Sequence, residues 1–187
     1  MEFRSAGFGP EVERILALDG GGYRLMPLAE PGPPANVAEA RRLLSQADAS
    51  RLFPGARAPL AALSGLWLYF SCLDESHSLS QQIETSEGSF WHAVMHRQEP
   101  DPGNSGYWFR RVGQHPIFPL LASAARTVVA AHPDCGYARG ERWDPFAFID
   151  FVEAARRRPG SEAERAAREI QLAEWQLLFH HCAEPRS

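Results

Sequence analysis

The sequence predicts an all-α fold: a single domain forming a helical bundle of six or seven helices over residues 37–187, preceded by a loop-rich segment, residues 1–36. Three observations predict it. Apolar residues recur at helical spacing in each long segment, and no stretch alternates convincingly with the period of two that a strand shows. Proline, glycine and capping residues punctuate those segments at helix-length intervals. A chain of 187 residues, 44% hydrophobic and 22% charged, suits one ordinary domain with a sizeable core.

Residues 1–36 hold six glycines and five prolines, among them DGGGY and EPGPPAN, so turns dominate there. One short element is expected at PEVERILAL, with Pro10 in its first turn and Gly20 to Gly22 ending it. Asn36 as N-cap and Glu39 as its capping-box partner then open the amphipathic helix VAEARRLLSQADAS, with Val37, Ala40, Leu43 and Leu44 on one face. The segment PLAALSGLWLYFSCL is apolar on nearly every side, which predicts a central buried helix over residues 59–73. It runs into polar DESHS. Ser86, Glu87 and Ser89 mark the start of the helix through FWHAVMHR, which Pro100, Pro102 and Gly103 break. Asn104 is the expected cap of SGYWFRRVG, and Gly113 its C-cap. IFPLLASAARTVVAAH is helical from about Pro119. Asp144 caps PFAFIDFVEAARRR with Pro145 in the favoured first position, and Ser161 with Glu164 forms a capping box for SEAERAAREIQLAEWQLLFHHC.

Composition narrows the function. A net charge of −4 argues against a surface that tracks nucleic-acid phosphates, so no nucleic-acid partner is expected. Cys72, Cys135 and Cys182 form no CxxC pair and leave an odd number, which fits a reducing compartment better than a disulfide scaffold or zinc ribbon. The N-terminus carries no secretory pattern, and no apolar run approaches the roughly 18 residues of a membrane span. A soluble cytoplasmic protein is the expectation.

The run ILALDGGGYRL resembles the DGGGxR oxyanion segment of patatin-like lipases, but Leu25 stands where that family has glycine. No GxSxG nucleophile elbow occurs anywhere in the chain. A turn or helix stop is the better reading.

The chemistry concentrates between Asp74 and His115. In FWHAVMHRQE, His92 and His96 lie four apart, about 40° from one another around a helix, so both rings project from one face and could share a metal. HExxH is absent, since Ala93, Val94 and Met95 intervene, and a zincin protease is not indicated. A third ligand must come from elsewhere: His77, Glu75 and His115 are the candidates. Asp74 and Glu75, read as the polar C-terminal end of the buried helix, have the wrong sign for that end of its dipole, so a cation such as Arg97, Arg110 or Arg111 should lie near them. Arginine beside histidine suits an anionic ligand. Trp91, Trp108 and Trp67 add the aromatic walls of a water-restricted pocket, though an ordinary helix interface has the same composition. At the chain's end, His180 and His181 beside Cys182 read as incidental to a fraying terminus.

Three runs, GLWLYFSCLDESHSLSQ, EGSFWHAVMHRQEPDPGNSGYWFRRVGQHPIF and EIQLAEWQLLFHHC, together resemble a family of uncharacterised bacterial and fungal proteins. Its signature is LDESH followed by WHAxMHRxExDxxNxxYWFRRVGxHPxF. The resemblance spans roughly residues 60–182. It implies that Asp74, Glu75, His77, His92, His96, Arg97, Glu99, Asp101, Asn104, Arg110, Arg111 and His115 act as one unit, and it implies no activity. This chain departs from the pattern at Gln98, Pro102 and Gly103.

The resulting expectation is a small-molecule enzyme of hydrolytic or acid/base type. His92 or His96 is its base or metal ligand, with His77 as a further ligand of a divalent metal. Glu75 or Asp74 orients them, and Arg97, Arg110, His115 and Trp108 bind an anionic substrate. The alternative is a non-catalytic ligand- or partner-binding protein in which the same cluster is a structural network.

Overall fold

A computed structural model describes residues 3–29, 36–138 and 140–185. Among the described residues there are ten α-helices and no named strand; the one extended pairing is an isolated bridge between Ala56 and Pro185. The EPGPP stretch, residues 30–34, in which the sequence predicts turns, lies outside them. The all-α class is as the sequence predicts, and the helix count is higher because two segments read as single helices divide, one after Ser45 and one after Tyr69, and because Pro10–Ala17 adds one in the N-terminal segment.

Helix α1 (Pro10–Ala17) carries proline in its first turn, and the glycine run after it forms a short 3-10 turn, Gly20–Gly22. Asn36 precedes α2 (Val37–Ser45) without capping it. Its backbone is left-handed at φ 59°, and its side-chain amide donates to the Leu18 carbonyl at 3.1 Å. That segment stops early because Asp48 caps a separate turn, α3 (Ala49–Leu52), accepting from the amides of Ser50 and Arg51 at 2.9 and 3.0 Å.

The buried helix α4 (Pro59–Tyr69) is shorter than expected. Ser71 takes a positive φ of 55° and turns the chain, so LDESHSLS becomes a helix of its own, α5 (Leu73–Ser80). Asp74 and Glu75 therefore sit in a first turn, where carboxylates complement the helix dipole rather than oppose it. The cation expected beside them is Arg41, whose Nε lies 3.0 Å from Glu75.

Thr85 caps α6 (Ser86–Gln98), and Asp101, not Asn104, caps α7 (Pro102–Val112), accepting from the Asn104 amide at 2.9 Å. Helices α8 (Phe118–Ala131) and α9 (Pro145–Ala155) follow, α9 under the predicted Asp144 cap. The longest helix, α10 (Glu162–Ala183), starts at Ser161, which accepts from the Glu164 amide at 3.2 Å while Glu164 accepts from the Gly160 amide at 2.6 Å.

Helix α4 is the axis of the bundle, with α5, α6 and α10 packed on it. Its small residues let neighbours approach. The Trp175 indole donates to the Gly65 carbonyl at 2.8 Å, and a Cβ on Gly65 would fall 2.6 Å from the ring of Trp91, which is fully buried. Alanine here gains up to about 1 kcal/mol of helix propensity, while overpacking a rigid indole costs roughly 1–3 kcal/mol. Gly65→Ala is therefore expected to destabilise by about 1–2 kcal/mol in a urea titration, and a midpoint equal to or above wild type would show that Trp91 can move.

Candidate metal centre

Three helices build one site around His77, His92 and His96. The Ser64 and Ser76 hydroxyls lie 3.1 Å apart, and Ser76 donates to the Ser64 carbonyl at 3.1 Å, fixing α5 against α4. His77 follows Ser76 directly and faces α6. There, His92 and His96 stand one helical turn apart on the same face. The Ser105 hydroxyl donates to the Ala93 carbonyl at 2.8 Å and ties α7 to α6, which lays Trp108 over His92 with ring centroids 4.0 Å apart.

The imidazoles converge. Ring centroids lie 4.6 Å apart for His77 and His92, 4.8 Å for His92 and His96, and 5.4 Å for His77 and His96. One ligand atom from each falls within 4.8 Å of the other two. Ligands of a tetrahedral zinc are about 3.4 Å apart when each bond is about 2.1 Å, so the three atoms stand at most about 1.4 Å wider than around a bound ion.

Hydrogen bonds set which nitrogen is free. The Ser80 hydroxyl donates its single proton to the His77 carbonyl at 3.3 Å, so at 3.1 Å it accepts from Nδ1–H of His92. Nδ1–H of His96 donates to the Glu99 carboxylate at 3.0 Å. Both buried rings thus keep the Nε2 lone pair for a ligand, with a hydroxyl and a carboxylate behind them as the outer partners that metal-bound histidines commonly have. Burial, then the nearby His96 and His77, pushes the His92 pKa down to about 3. His96 is also lowered, by burial ahead of the opposing pull of Glu99. Both are neutral at pH 7, the form that binds metal.

The other expected site residues are placed differently. Asp74 is exposed and Glu75 pairs with Arg41, so neither orients a histidine. That carboxylate is Glu99, one turn beyond His96. Arg97 is 1% exposed and donates to Glu174 and, at 3.4 Å, to Gln171, with its guanidinium 4.6 Å over the Phe148 ring. A cation buried in the core and already paired with Glu174 is closed to an anionic ligand from solvent. Trp108 does wall the site, and Arg111 lies over its outer face at 5.2 Å. Arg110 and His115 instead line a separate cavity of about 940 Å³ with Arg126, Arg142, Trp143 and Phe146.

The glycine run is structural. The Tyr69 hydroxyl accepts from the Gly22 and Arg24 amides at 3.1 and 3.0 Å and donates to the Asp19 carbonyl at 2.5 Å, so those amides have a resident partner. Sequence reasoning passed over Ser80, and it placed Glu99 in the polar unit without pairing it with His96. The His96 to Glu99 spacing is a legible helical pair, whereas Ser80 reaches His92 only through the packing of α5 on α6. Comparison with family models, curated proteins and solved structures finds no match to this chain. Among the described residues, no helix is long and apolar enough to cross a membrane.

Proposed function

We propose that the chain is a metal-dependent enzyme acting on a small molecule, with His77, His92 and His96 holding one divalent transition metal, zinc in the first instance. The observation that carries this reading is the pair of buried imidazoles, His92 and His96, each engaged through Nδ1 by an outer partner and converging with His77. Imidazole suits first-row transition metals, and three protein ligands leave a position open. An ion so held brings bound water to a pKa near 7, which serves hydrolysis or hydration. His77 is half-buried, so solvent and substrate approach from its side, while Trp108 covers His92 from α7.

Metal analysis of protein prepared with zinc, iron and manganese tests the reading. Wild type is expected to retain metal at whole-number stoichiometry, and His92→Ala/His96→Ala to hold one equivalent less. Equal metal content in the two proteins would overturn it.

A further inference from the structure

A second ligand set lies elsewhere on α6. Glu87 precedes His92 by five residues, which places it about 7.5 Å back along the axis and about 140° around it, away from the three-histidine face. We propose that Glu87, His115 and His181 form a second, independent site for a divalent first-row transition metal, of the two-histidine, one-carboxylate type. The three residues come from the first turn of α6, the connection between α7 and α8, and the last turn of α10. Folding brings one ligand atom of each within 4.8 Å of the others.

His115 has a bonding position that no neighbour among the described residues fills. Its residue is 4% exposed, and Nδ1 accepts from the Ile117 amide at 3.4 Å. Nε2 is buried and has no hydrogen-bond partner among the described residues. A buried polar atom left in that state destabilises the fold unless something pairs with it. The ring is held by Phe90, edge-on at 5.1 Å, and by Phe118 at 6.0 Å, so it is fixed where it is aimed. His181 faces it at 4.9 Å and donates from Nε2 to the Glu87 carboxylate at 3.3 Å. That bond, ahead of the opposing desolvation, holds the Glu87 carboxyl down to about 2, and burial followed by His181 lowers His115 to about 4. All the chemistry a cation needs is present: an ionised carboxylate and a neutral imidazole beside a second imidazole.

Coordination replaces the protons on the two Nε2 atoms, and each ring's proton moves to Nδ1. For His115 this ends the 3.4 Å contact from Ile117, a long hydrogen bond whose loss is small beside a metal–nitrogen bond. A two-nitrogen, one-oxygen set leaves further coordination positions open, as in sites for iron(II) and zinc. His115 also borders the cavity of about 940 Å³.

Cobalt(II), counted by equilibrium dialysis and by its visible absorption, distinguishes this site from the three-histidine centre. Wild type is expected to bind two equivalents, His92→Ala/His96→Ala one, and that variant with Glu87→Gln/His115→Gln added none. One equivalent in wild type and none in His92→Ala/His96→Ala would overturn this proposal and leave the three-histidine reading standing. One equivalent in wild type, kept in His92→Ala/His96→Ala and lost with Glu87→Gln/His115→Gln, would support it and overturn the other. If the combined variants do not fold by circular dichroism, Glu87→Gln/His115→Gln in the native chain gives the same count: a fall of one equivalent supports the site, and an unchanged count overturns it.

Discussion

Arg97→Met is expected to destabilise the protein by about 3–5 kcal/mol, the cost of breaking a buried ion pair by removing one partner. Both side chains of the Arg97–Glu174 pair are fully buried between α6 and α10, so the methionine leaves a carboxylate in the core with no cation and no water. Replacing both partners removes that stranded charge. Arg97→Met/Glu174→Leu is therefore expected to recover most of the loss, because apolar side chains of similar volume often match or exceed a buried pair in stability. Urea titrations of the two singles and the double close the cycle, with a large coupling energy as its signature. If Arg97→Met lies within about 1 kcal/mol of wild type, Arg97 is not the core cation the contacts describe.

The same residue shows what sequence could and could not convey. An arginine directly after His96 suggested an anion-binding site, because adjacency placed it near the histidines. One residue on a helix is a turn of about 100°, however, and that step carries Arg97 from the histidine face to the α10 face, toward a glutamate 77 positions away. Nothing local in FWHAVMHRQE reveals Glu174. Helical periodicity did reveal the shared face of His92 and His96, since that depends only on a spacing of four.

Breaks within apolar segments were the least legible part of the fold. The run from Pro59 to Leu73 is continuous in hydrophobicity, and the positive φ of Ser71 that divides it falls on a residue with no glycine or proline signal. That one turn changes the meaning of DESHS: the carboxylates move from a helix end they would oppose to a helix start they favour, and His77 is delivered to α6. His181 was obscured for a related reason. A C-terminal histidine pair reads as a fraying end, but Phe179 and Cys182 are fully buried and the Cys182 carbonyl accepts from the Ala58 amide at 2.9 Å. A helix end anchored in this way can present a ligand.

Glu99→Gln is expected to weaken metal binding at the three-histidine centre about 10- to 100-fold, about 1.4–2.7 kcal/mol, while Asp74→Asn and Glu75→Gln leave it unchanged. Of these three carboxylates, Glu99 is the one that meets an imidazole. Glu99 accepts from Nδ1–H of His96 at 3.0 Å, fixing the tautomer that frees Nε2 and making the ring a stronger donor to a cation. Glutamine keeps the size and an acceptor oxygen but removes the charge, so geometry is largely preserved and the loss reports on electrostatics. Asp74 points to solvent and Glu75 to Arg41, and neither touches an imidazole. Zinc affinities of these variants, measured by chelator competition in the Glu87→Gln/His115→Gln background, isolate the centre from any metal bound at His115. An affinity for Glu99→Gln equal to wild type would remove Glu99 from the centre. A loss at Glu75→Gln of similar size would return the orienting role to α5, and with it the arrangement that the order of residues alone suggested.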